Sequence, residues 1–184
     1  PKSKLHEIEG NGDIEKMTVS ADETYLNLVI KLKNNINFDK EKLLIGLDTY
    51  DRARGNLKFA EDISVNAATG LEYVIQINGR SDAQLLVQTG YNLTNGRYAS
   101  DASSGGSFEK MSVLTNKEAI TADGTKTDAI YQDLSILNYG TLENNSYNHW
   151  NIEENTISIR IPWTRINVSD PSAMRVIDDT RVIQ

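Results

Sequence analysis

The length, composition and charge of the chain exclude several classes of protein. Its 184 residues are 39% hydrophobic and 24% charged, which suits one globular domain and not a disordered tail. The formal net charge of −7 argues against nucleic acid and anionic lipid as partners, since both attract clustered Lys and Arg. The absence of cysteine excludes disulfide bonds, thiolate nucleophiles and Cys-ligated zinc.

No apolar run reaches the roughly 20 residues of a membrane span, so we expect no direct membrane insertion. The chain opens at Pro1, and we expect no signal peptide within the sequence given. We therefore interpret it as a piece of a longer protein. Residues 1–12 are expected to be a linker or N-terminal extension, and residues 13–184 a single domain.

Hydrophobic residues recur with a period of two, which is typical of strands half buried in a sheet. The clearest case is residues 25–32, whose even-numbered positions share one apolar face. A short strand at 17–19 precedes it, with a turn at 20–23 between them. Residues 43–47 predict a strand buried on both faces. Residues 49–69 are polar and contain Gly55, so we expect a long loop there.

The middle of the chain predicts a β-hairpin. Residues 71–78 and 83–88 both alternate, and Asn78-Gly79 suits a type I′ turn because both residues tolerate positive φ. A loop longer than two residues between the strands is the alternative. Asn95-Gly96 predicts another turn. The composition of residues 100–107 (SDASSGGS) is typical of a flexible surface loop.

The last third of the chain continues the pattern. Residues 108–113 and 117–121 predict strands, and Asp123-Gly124 predicts a turn. Residues 157–161 alternate strongly, Pro162 ends that strand, and residues 163–168 predict one helical turn. Many short strands and no sustained helical pattern predict an all-β fold. We expect a jelly-roll-like sandwich of two antiparallel sheets with at most short helical turns.

The sequence contains no recognisable catalytic constellation. There are two histidines, and no motif places a nucleophile beside His149. There is no H-E-x-x-H zinc motif and no phosphate-binding glycine loop. Glycoside hydrolysis needs two carboxylates across a cleft, and nothing selects a pair among the many Asp and Glu. We therefore predict that the chain is not an enzyme.

An acidic loop is the candidate metal site. Asp48 ends a strand, Asp51 follows it, and Glu61 and Asp62 close the same loop. Calcium prefers several carboxylate and carbonyl oxygens, often from long loops. The alternative is that Asp48 and Asp51 accept backbone hydrogen bonds and pair with nearby arginines.

Aromatic residues next to polar ones are the candidate ligand site. Sugar rings stack on exposed Trp and Tyr, and neighbouring polar groups bind their hydroxyls. Trp150 with Tyr147 and His149, and also Tyr91 and Tyr98, have such surroundings. The alternative is that Trp150 begins a strand and packs into a core, since large aromatics are mostly buried.

Three segments resemble family 9-like carbohydrate-binding modules and the related DOMON-type β-sandwiches. They are residues 21–26 (ADETYL), 44–49 (LIGLDT) and 156–163 (TISIRIPW), in that order. Residues 68–73 (ATGLEY) also resemble C-terminal modules of large bacterial glycosyltransferase- or glycosidase-like proteins. A pair of Trp side chains clamps the sugar in those modules. Only Trp150 is available for that role here, because Trp163 matches the Ile-Pro-Trp end of the late strand.

The resemblance implies a function as well as a fold. It implies a non-catalytic accessory module of an extracellular or cell-surface bacterial protein that binds a polysaccharide or oligosaccharide. Calcium, suggested by the acidic loop, is the one possible cofactor. The alternative is a structural domain that has no ligand and packs against a neighbouring catalytic domain of the parent chain. A fold resemblance transfers less readily to function than to structure.

Overall fold

The computed structural model describes residues 5–50, 55–59, 65–91, 107–173 and 175–176. Their regular structure consists of strands and two short 3-10 helices, Thr89–Tyr91 and Trp163–Ile166, so the predicted all-β class is confirmed. No helix in these ranges is long and apolar enough to cross a membrane. The strands are β1 (His6–Glu9), β2 (Ile14–Ala21), β3 (Tyr25–Leu32), β4 (Leu43–Leu47), β5 (Asn56–Lys58), β6 (Asn66–Leu71), β7 (Tyr73–Gly79), β8 (Asp82–Gln88), β9 (Phe108–Lys110), β10 (Ser112–Asn116), β11 (Ala119–Ile120), β12 (Lys126–Thr127), β13 (Ile130–Asp133), β14 (Trp150–Glu153), β15 (Thr156–Pro162), β16 (Val168–Asp170) and β17 (Arg175–Val176).

The chain divides into two compact units. Unit 1 takes its described residues from Pro1–Leu43, Ile77–Ala83 and Leu137–Gln184, and unit 2 from Leu44–Gln76 and Gln84–Ile136. Unit 1 contains a five-stranded sheet in the order β1-β2-β3-β15-β14. Unit 2 contains most of a four-stranded sheet in the order β4-β7-β8-β9, and the tip of its β7–β8 hairpin belongs to unit 1.

The alternation along β3 and β15 builds the core of unit 1. All pairings in the five-stranded sheet are antiparallel, and Ile30 lies opposite Ile157 while Leu28 lies opposite Ile159. These four side chains are at most 3% exposed. Burying each of them stabilises the fold by roughly 2 kcal/mol. The intervening residues of β3 and β15 therefore form the opposite, polar face of the sheet.

The end of β15 confirms two predictions. Pro162 is the last residue of the strand, and the helical turn predicted after it is the 3-10 helix Trp163–Ile166. Proline has no N–H group to donate to a further ladder bond, which explains why the strand ends there. The Trp163 N–H donates instead to the carbonyl oxygen of Thr24 at 3.1 Å.

Two predicted features at the start of the chain differ from the structure. Residues 6–9, expected within a linker, form β1 and pair with β2 from His6 opposite Val19 to Glu9 opposite Lys16. The turn expected at 20–23 is shifted, because β2 extends to Ala21 and the turn begins at Asp22. Polar β1 has no hydrophobic period, so only its pairing identifies it as a strand.

The β7–β8 hairpin is correct, but its turn is not where Asn78-Gly79 placed it. Both residues belong to β7, and Arg80 and Ser81 connect the strands. Gly79 does not have a positive φ, so this turn does not use its conformational freedom. The Asn78 side chain instead donates to the Asp82 carboxylate at 2.9 Å, which joins the two strands near the turn.

The region predicted as a loop at 49–69 contains two strands. β5 and β6 pair antiparallel, with a register shift between Asn56 and Lys58. Gly55 precedes β5 with a φ of 90°, and a Cβ there would lie 2.6 Å from the carbonyl oxygen of Leu71. This close backbone approach requires glycine. β4 is also less buried than predicted, since only Leu43 is fully buried.

The strands after residue 107 are shorter and more often interrupted than the sequence predicts. The strand expected at 108–113 divides at Met111, whose N–H donates to Ser135 Oγ at 2.6 Å and whose carbonyl accepts from Leu134. The strand expected at 117–121 is reduced to Ala119–Ile120. The turn at Asp123-Gly124 is confirmed, with a Gly124 φ of 86°. The turn at 95–96 and residues 100–106 lie outside the described residues.

Candidate ligand-binding groove

A buried arginine organises the polar face of unit 1. Arg160 points to this face from β15 and is 6% exposed. Its Nε donates to the Asn148 carbonyl at 2.9 Å, and Nη1 donates to the carbonyls of Leu142 at 3.3 Å and Glu143 at 3.1 Å. Its Nη2 donates to Ser146 O at 2.7 Å and to Ser146 Oγ at 2.8 Å. All five N–H groups are therefore used to hold residues 142–148 over the sheet.

The ring of Tyr25 packs against the same guanidinium. The Arg160 Cζ atom lies 4.9 Å from the ring centroid, which is within the range of a cation–π interaction. Tyr25 begins β3 opposite Pro162, and Asn27 lies opposite Arg160. The residues alternate along both strands, so these polar side chains share the face away from the Ile and Leu core.

Asp22 forms the turn that leads into Tyr25. Its Oδ1 accepts hydrogen bonds from the N–H groups of Thr24 and Tyr25 at 2.8 and 2.7 Å, and its Oδ2 accepts from Asn27 at 2.8 Å. Partial desolvation works to raise the pKa of Asp22. The hydrogen bonds from Thr24, Asn27 and Tyr25 and the charge of Arg160 outweigh it and hold the pKa below the ordinary value. The carboxylate is therefore ionised at neutral pH.

These residues line an open groove of about 480 Å³, which we call the Tyr25 groove. Its lining residues are Asp22, Thr24, Tyr25, Asn27, Leu142, Asn144 and Arg160. Asp22 and Arg160 are the charged groups in this lining, and the donors of Arg160 are already used within the chain. The groove thus offers an aromatic ring, amide groups and a hydroxyl. This composition suits an uncharged ligand with both apolar and hydroxylated surfaces.

A second open groove, of about 520 Å³, lies on the same unit at β14 and β15. We call it the Glu153 groove, and its lining residues are Asn151, Glu153, Glu154, Thr156 and Ser158. Asn151 lies opposite Ser158 and Glu153 lies opposite Thr156, so these four side chains form two cross-strand pairs on the polar face. Glu154 occupies the hairpin between the strands with a φ of 52°.

The predicted ligand residue Trp150 lies in the core. It begins β14, is 0% exposed, and is contacted at the ring edges by Phe38 and Tyr139, with centroid distances of 6.1 and 4.9 Å. No ring face is available to a sugar, so the alternative left open by the sequence describes Trp150. Its Nε1 atom has no hydrogen-bond partner within the described chain.

The neighbours of Trp150 differ in exposure. His149 is 7% exposed, and its Nδ1 accepts a hydrogen bond from the Asn138 N–H at 3.0 Å. Burial, together with the charges of Arg165 and Arg160, lowers the His149 pKa to about 4. Tyr147 is 90% exposed and lies between the two residues, Ser146 and Asn148, that Arg160 holds. Among the predicted ligand residues that the structure describes, Tyr147 is therefore the one presented to solvent.

The other predicted site residues belong to unit 2 or are not described. Tyr91 is 3% exposed, and its ring packs against Tyr50 and Tyr73 at centroid distances of 5.5 and 5.8 Å. A ring buried in this way offers no stacking surface, so Tyr91 is a core residue. Tyr98 lies outside the described residues.

The predicted calcium loop is described only at its beginning. Asp48 is exposed, and its Oδ2 accepts a hydrogen bond from the Thr69 hydroxyl at 2.6 Å. Asp51, Glu61 and Asp62 lie outside the described residues. Within the described ranges, no three His, Cys, Asp or Glu residues are grouped closely enough to hold a metal ion.

A buried carboxyl group lies in unit 2. Glu72 is 0% exposed, and its Oε2 accepts hydrogen bonds from the N–H groups of Thr49 and Tyr50 at 2.7 and 3.2 Å. Its Oε1, like Thr49 Oγ1 and Gln88 Oε1, has no partner in the part of the chain that is described. Burial raises the pKa of Glu72 to about 7, and the charge of Asp48 adds to that effect.

Two segments of the Tyr25 groove carry the family resemblance but were not predicted to form a site. Asp22 and Tyr25 belong to the ADETYL segment, and Arg160 belongs to the late strand. The sequence did contain one indication of this site. Tyr25 and Arg160 both occupy positions of alternating strands that point away from the apolar core. Recognising the site requires the pairing of β3 with β15, which brings together residues more than 130 positions apart.

Comparison with known proteins gives no relative. No protein-family model matches the sequence, no curated protein is significantly similar to it, and no solved structure matches the fold.

Proposed function

We propose that this chain is a non-catalytic accessory module that binds carbohydrate through the Tyr25 groove. The observation that carries the proposal is the ring of Tyr25, which is held 4.9 Å from a buried arginine at the side of a polar groove. A fixed ring can stack on the C–H face of a sugar without first being ordered by the ligand. Asn27, Thr24 and Asn144 line the same groove and supply hydrogen-bonding groups for sugar hydroxyls.

The charges in the groove support a binding role over hydrolysis. Asp22 is the carboxylate in the lining, and both of its oxygens already accept hydrogen bonds from the turn and from Asn27. Glycoside hydrolysis needs a second carboxyl group facing it across the bound sugar, and the lining of the Tyr25 groove supplies none. The expected context is a larger bacterial carbohydrate-active protein at the cell surface.

The experiment is binding to a panel of neutral and acidic polysaccharides by affinity electrophoresis and calorimetry. We expect saturable binding to at least one neutral polymer, which Tyr25→Ala reduces at least tenfold and Tyr25→Phe preserves. Tyr131→Ala is the matched control, since Tyr131 is 63% exposed in unit 2 and lies outside the groove. Equal losses from Tyr25→Ala and Tyr131→Ala would contradict the proposal.

A second candidate is a structural domain that packs against a neighbouring domain of the parent chain. Leu114 and Tyr131 lie opposite each other on β10 and β13 and are 41% and 63% exposed. Adjacent exposed apolar residues favour a protein contact. Two results together would support this function. The chain would bind no polysaccharide of the panel, and the Leu114→Ser, Tyr131→Ser variant would fail to associate with the neighbouring domain in the full protein.

A further inference from the structure

The two grooves of unit 1 lie on one face of one sheet. Along β15, Arg160 lines the Tyr25 groove, and Ser158 and Thr156 line the Glu153 groove. All three are outward positions of a strand whose inward positions are Ile157, Ile159 and Ile161. Residues two positions apart on a strand are separated by roughly 7 Å. The linings of the two grooves are therefore adjacent rows of the same surface.

The row of Ser158, which borders the row of Arg160 and Asn27, also contains an exposed apolar residue. Val29 lies opposite both Ser158 and Thr18, and it is 40% exposed. On β3 it separates Asn27, which lines the Tyr25 groove, from Lys31, which lies opposite Thr156 of the Glu153 groove. Its exposed apolar side chain suits the C–H face of a sugar.

We propose that the Tyr25 and Glu153 grooves form one continuous surface that binds an extended, neutral polysaccharide along its length, with Val29, which lies opposite Ser158 of the Glu153 groove, as the floor where the two grooves meet. This inference rests on the proposed carbohydrate-binding function and extends it. The distance along β3 from Tyr25 to Lys31 is about 20 Å, which is much longer than one sugar ring. A surface of that length contacts several consecutive sugars, in contrast to a pocket that captures a single chain end.

The charges along this surface favour the binding of neutral sugars over acidic ones. The Glu153 groove contributes Glu153 and Glu154, and the Tyr25 groove contributes Asp22. The buried Arg160 has no N–H group left for an acidic ligand, because all five bind within the chain. The exposed cation at the end of this surface, Lys31, is already paired with Glu15 at 2.9 Å. Uronate or sulfate groups on a polysaccharide would therefore approach carboxylates and would have to compete with one of them for Lys31.

Calorimetry with the unmodified chain and soluble oligosaccharides of glucose, xylose and mannose, increasing in length, tests this inference. We expect affinity to increase with length, by at least tenfold between the shortest and longest members of the series that binds. The Asn151→Ala, Glu153→Ala variant, which alters the lining of the Glu153 groove, should remove this gain of affinity with length.

A substitution in the floor gives an independent test. Val29→Lys places a long side chain between the grooves and should weaken binding of long oligosaccharides at least tenfold. Val113→Lys is the matched control, because Val113 is 36% exposed on β10 of unit 2. Circular dichroism melts establish that each variant is folded, and Val29→Gln, a long neutral side chain, should have the same effect as Val29→Lys if the first variant is unstable.

The possible results separate this inference from the function on which it rests. Binding that depends on Tyr25 but not on ligand length, Val29 or Glu153 would overturn the extended surface and leave carbohydrate binding intact. Preferential binding of uronate polymers would overturn the neutral class. Absence of binding to every neutral and acidic polymer would overturn both proposals.

Discussion

Arg160 links the ring of Tyr25 to the main chain of residues 142–148. Its guanidinium carbon lies 4.9 Å from the centroid of the ring, and its five N–H groups bind four carbonyl oxygens and the hydroxyl of Ser146. One buried side chain thus fixes both the aromatic surface of the Tyr25 groove and the segment that carries Asn144 and exposed Tyr147. Arg160 is a positioning residue, because none of its donors remains for a ligand.

Arg160→Lys should destabilise unit 1 and loosen residues 142–148. Lysine keeps the charge but has three donors on a compact ammonium, so it cannot reach acceptors spread along seven residues. We expect the free energy of unfolding to fall by about 2–4 kcal/mol, since hydrogen bonds to charged groups contribute about 1.5–3 kcal/mol each and only some are lost.

Denaturant unfolding and amide hydrogen exchange measure these two effects. Exchange should accelerate at residues whose amide hydrogen bonds depend on this segment, including the His149 N–H that donates to Asn138 O at 2.7 Å. Arg175→Lys is the control, because Arg175 is exposed. Unchanged stability and exchange in Arg160→Lys would show that the network does not hold the segment.

Trp150 should be essential for the fold and not for binding. Its side chain is fully buried between Phe38 and Tyr139, so Trp150→Ala leaves a cavity and is expected to lower stability by about 3–5 kcal/mol. Trp150→Phe keeps an aromatic ring in the same place and should remain folded, with the polysaccharide affinity of the unmodified chain. A folded Trp150→Phe variant that no longer binds polysaccharide would indicate that Trp150 belongs to the ligand site.

The strands were predictable where one face of a sheet is buried. β3 matches the predicted segment, and β15 extends the predicted 157–161 by one residue at each end, because alternation of apolar residues directly reflects burial on one side. β4 has its predicted bounds, but it was predicted from a continuous apolar run, and its burial on both faces was wrong. β1 and the β5–β6 pair were missed because their residues are polar and largely half buried or exposed, so their identity depends on the strands they pair with. The packing of two sheets into a sandwich stays a prediction.

The site was less predictable than the strands. Exposed and buried aromatic residues can have similar neighbours in the sequence, so local composition does not separate them. Trp150 and Tyr91 are buried, whereas Tyr147 is exposed. The groove residues come from a turn, two paired strands and a distant segment, and their proximity depends on the register of β3 against β15. The pattern of residues within one segment does not predict how that strand is aligned with its partner.

Calcium binding by the loop that begins at Asp48 also stays a prediction. If the loop binds calcium, adding the ion should raise the melting temperature, because a ligand that binds only the folded state stabilises it. Asp48→Asn should remove the increase. Thr69→Val is the control, since it removes the hydroxyl that donates to Asp48 Oδ2 and leaves the carboxylate. An equal melting temperature with calcium and with chelator would exclude the site.

Glu72 should make unit 2 less stable as the pH rises to neutral. Its pKa is raised from 4.5 to about 7 in the folded chain, first by burial and then by the charge of Asp48. Between these values the unfolded chain has lost the proton and the folded chain keeps it, so stability falls as the pH rises from 4.5 through 7 and is constant above. The difference corresponds to a loss of about 3 kcal/mol.

Glu72→Gln removes this titration while keeping an oxygen that can accept from the Thr49 and Tyr50 N–H groups. We therefore expect the variant to be more stable than the unmodified chain at pH 8 and similar to it at pH 4.5. Denaturant unfolding across this range, followed by circular dichroism, provides the measurement. A variant that is less stable at pH 8 would show that the ionised carboxylate stabilises the fold.

His149 should have the opposite effect in unit 1. Its pKa is lowered from 6.5 to about 4, first by burial and then by the charges of Arg165 and Arg160. Between these values the unfolded chain binds a proton that the folded chain does not. The stability that His149 contributes is therefore present above pH 6.5 and is lost as the pH falls through 4, by up to about 3 kcal/mol.

The pH ranges of Glu72 and His149 overlap between 4.5 and 6.5, where their slopes have opposite signs and offset each other in the unmodified chain. The effect of His149 is best measured in a chain that already carries Glu72→Gln, where stability should rise with pH from 4 to 6.5. Adding His149→Asn, whose amide oxygen can replace Nδ1 as the acceptor for the Asn138 N–H, should flatten that rise. A slope that persists after both substitutions would assign the titration to another group.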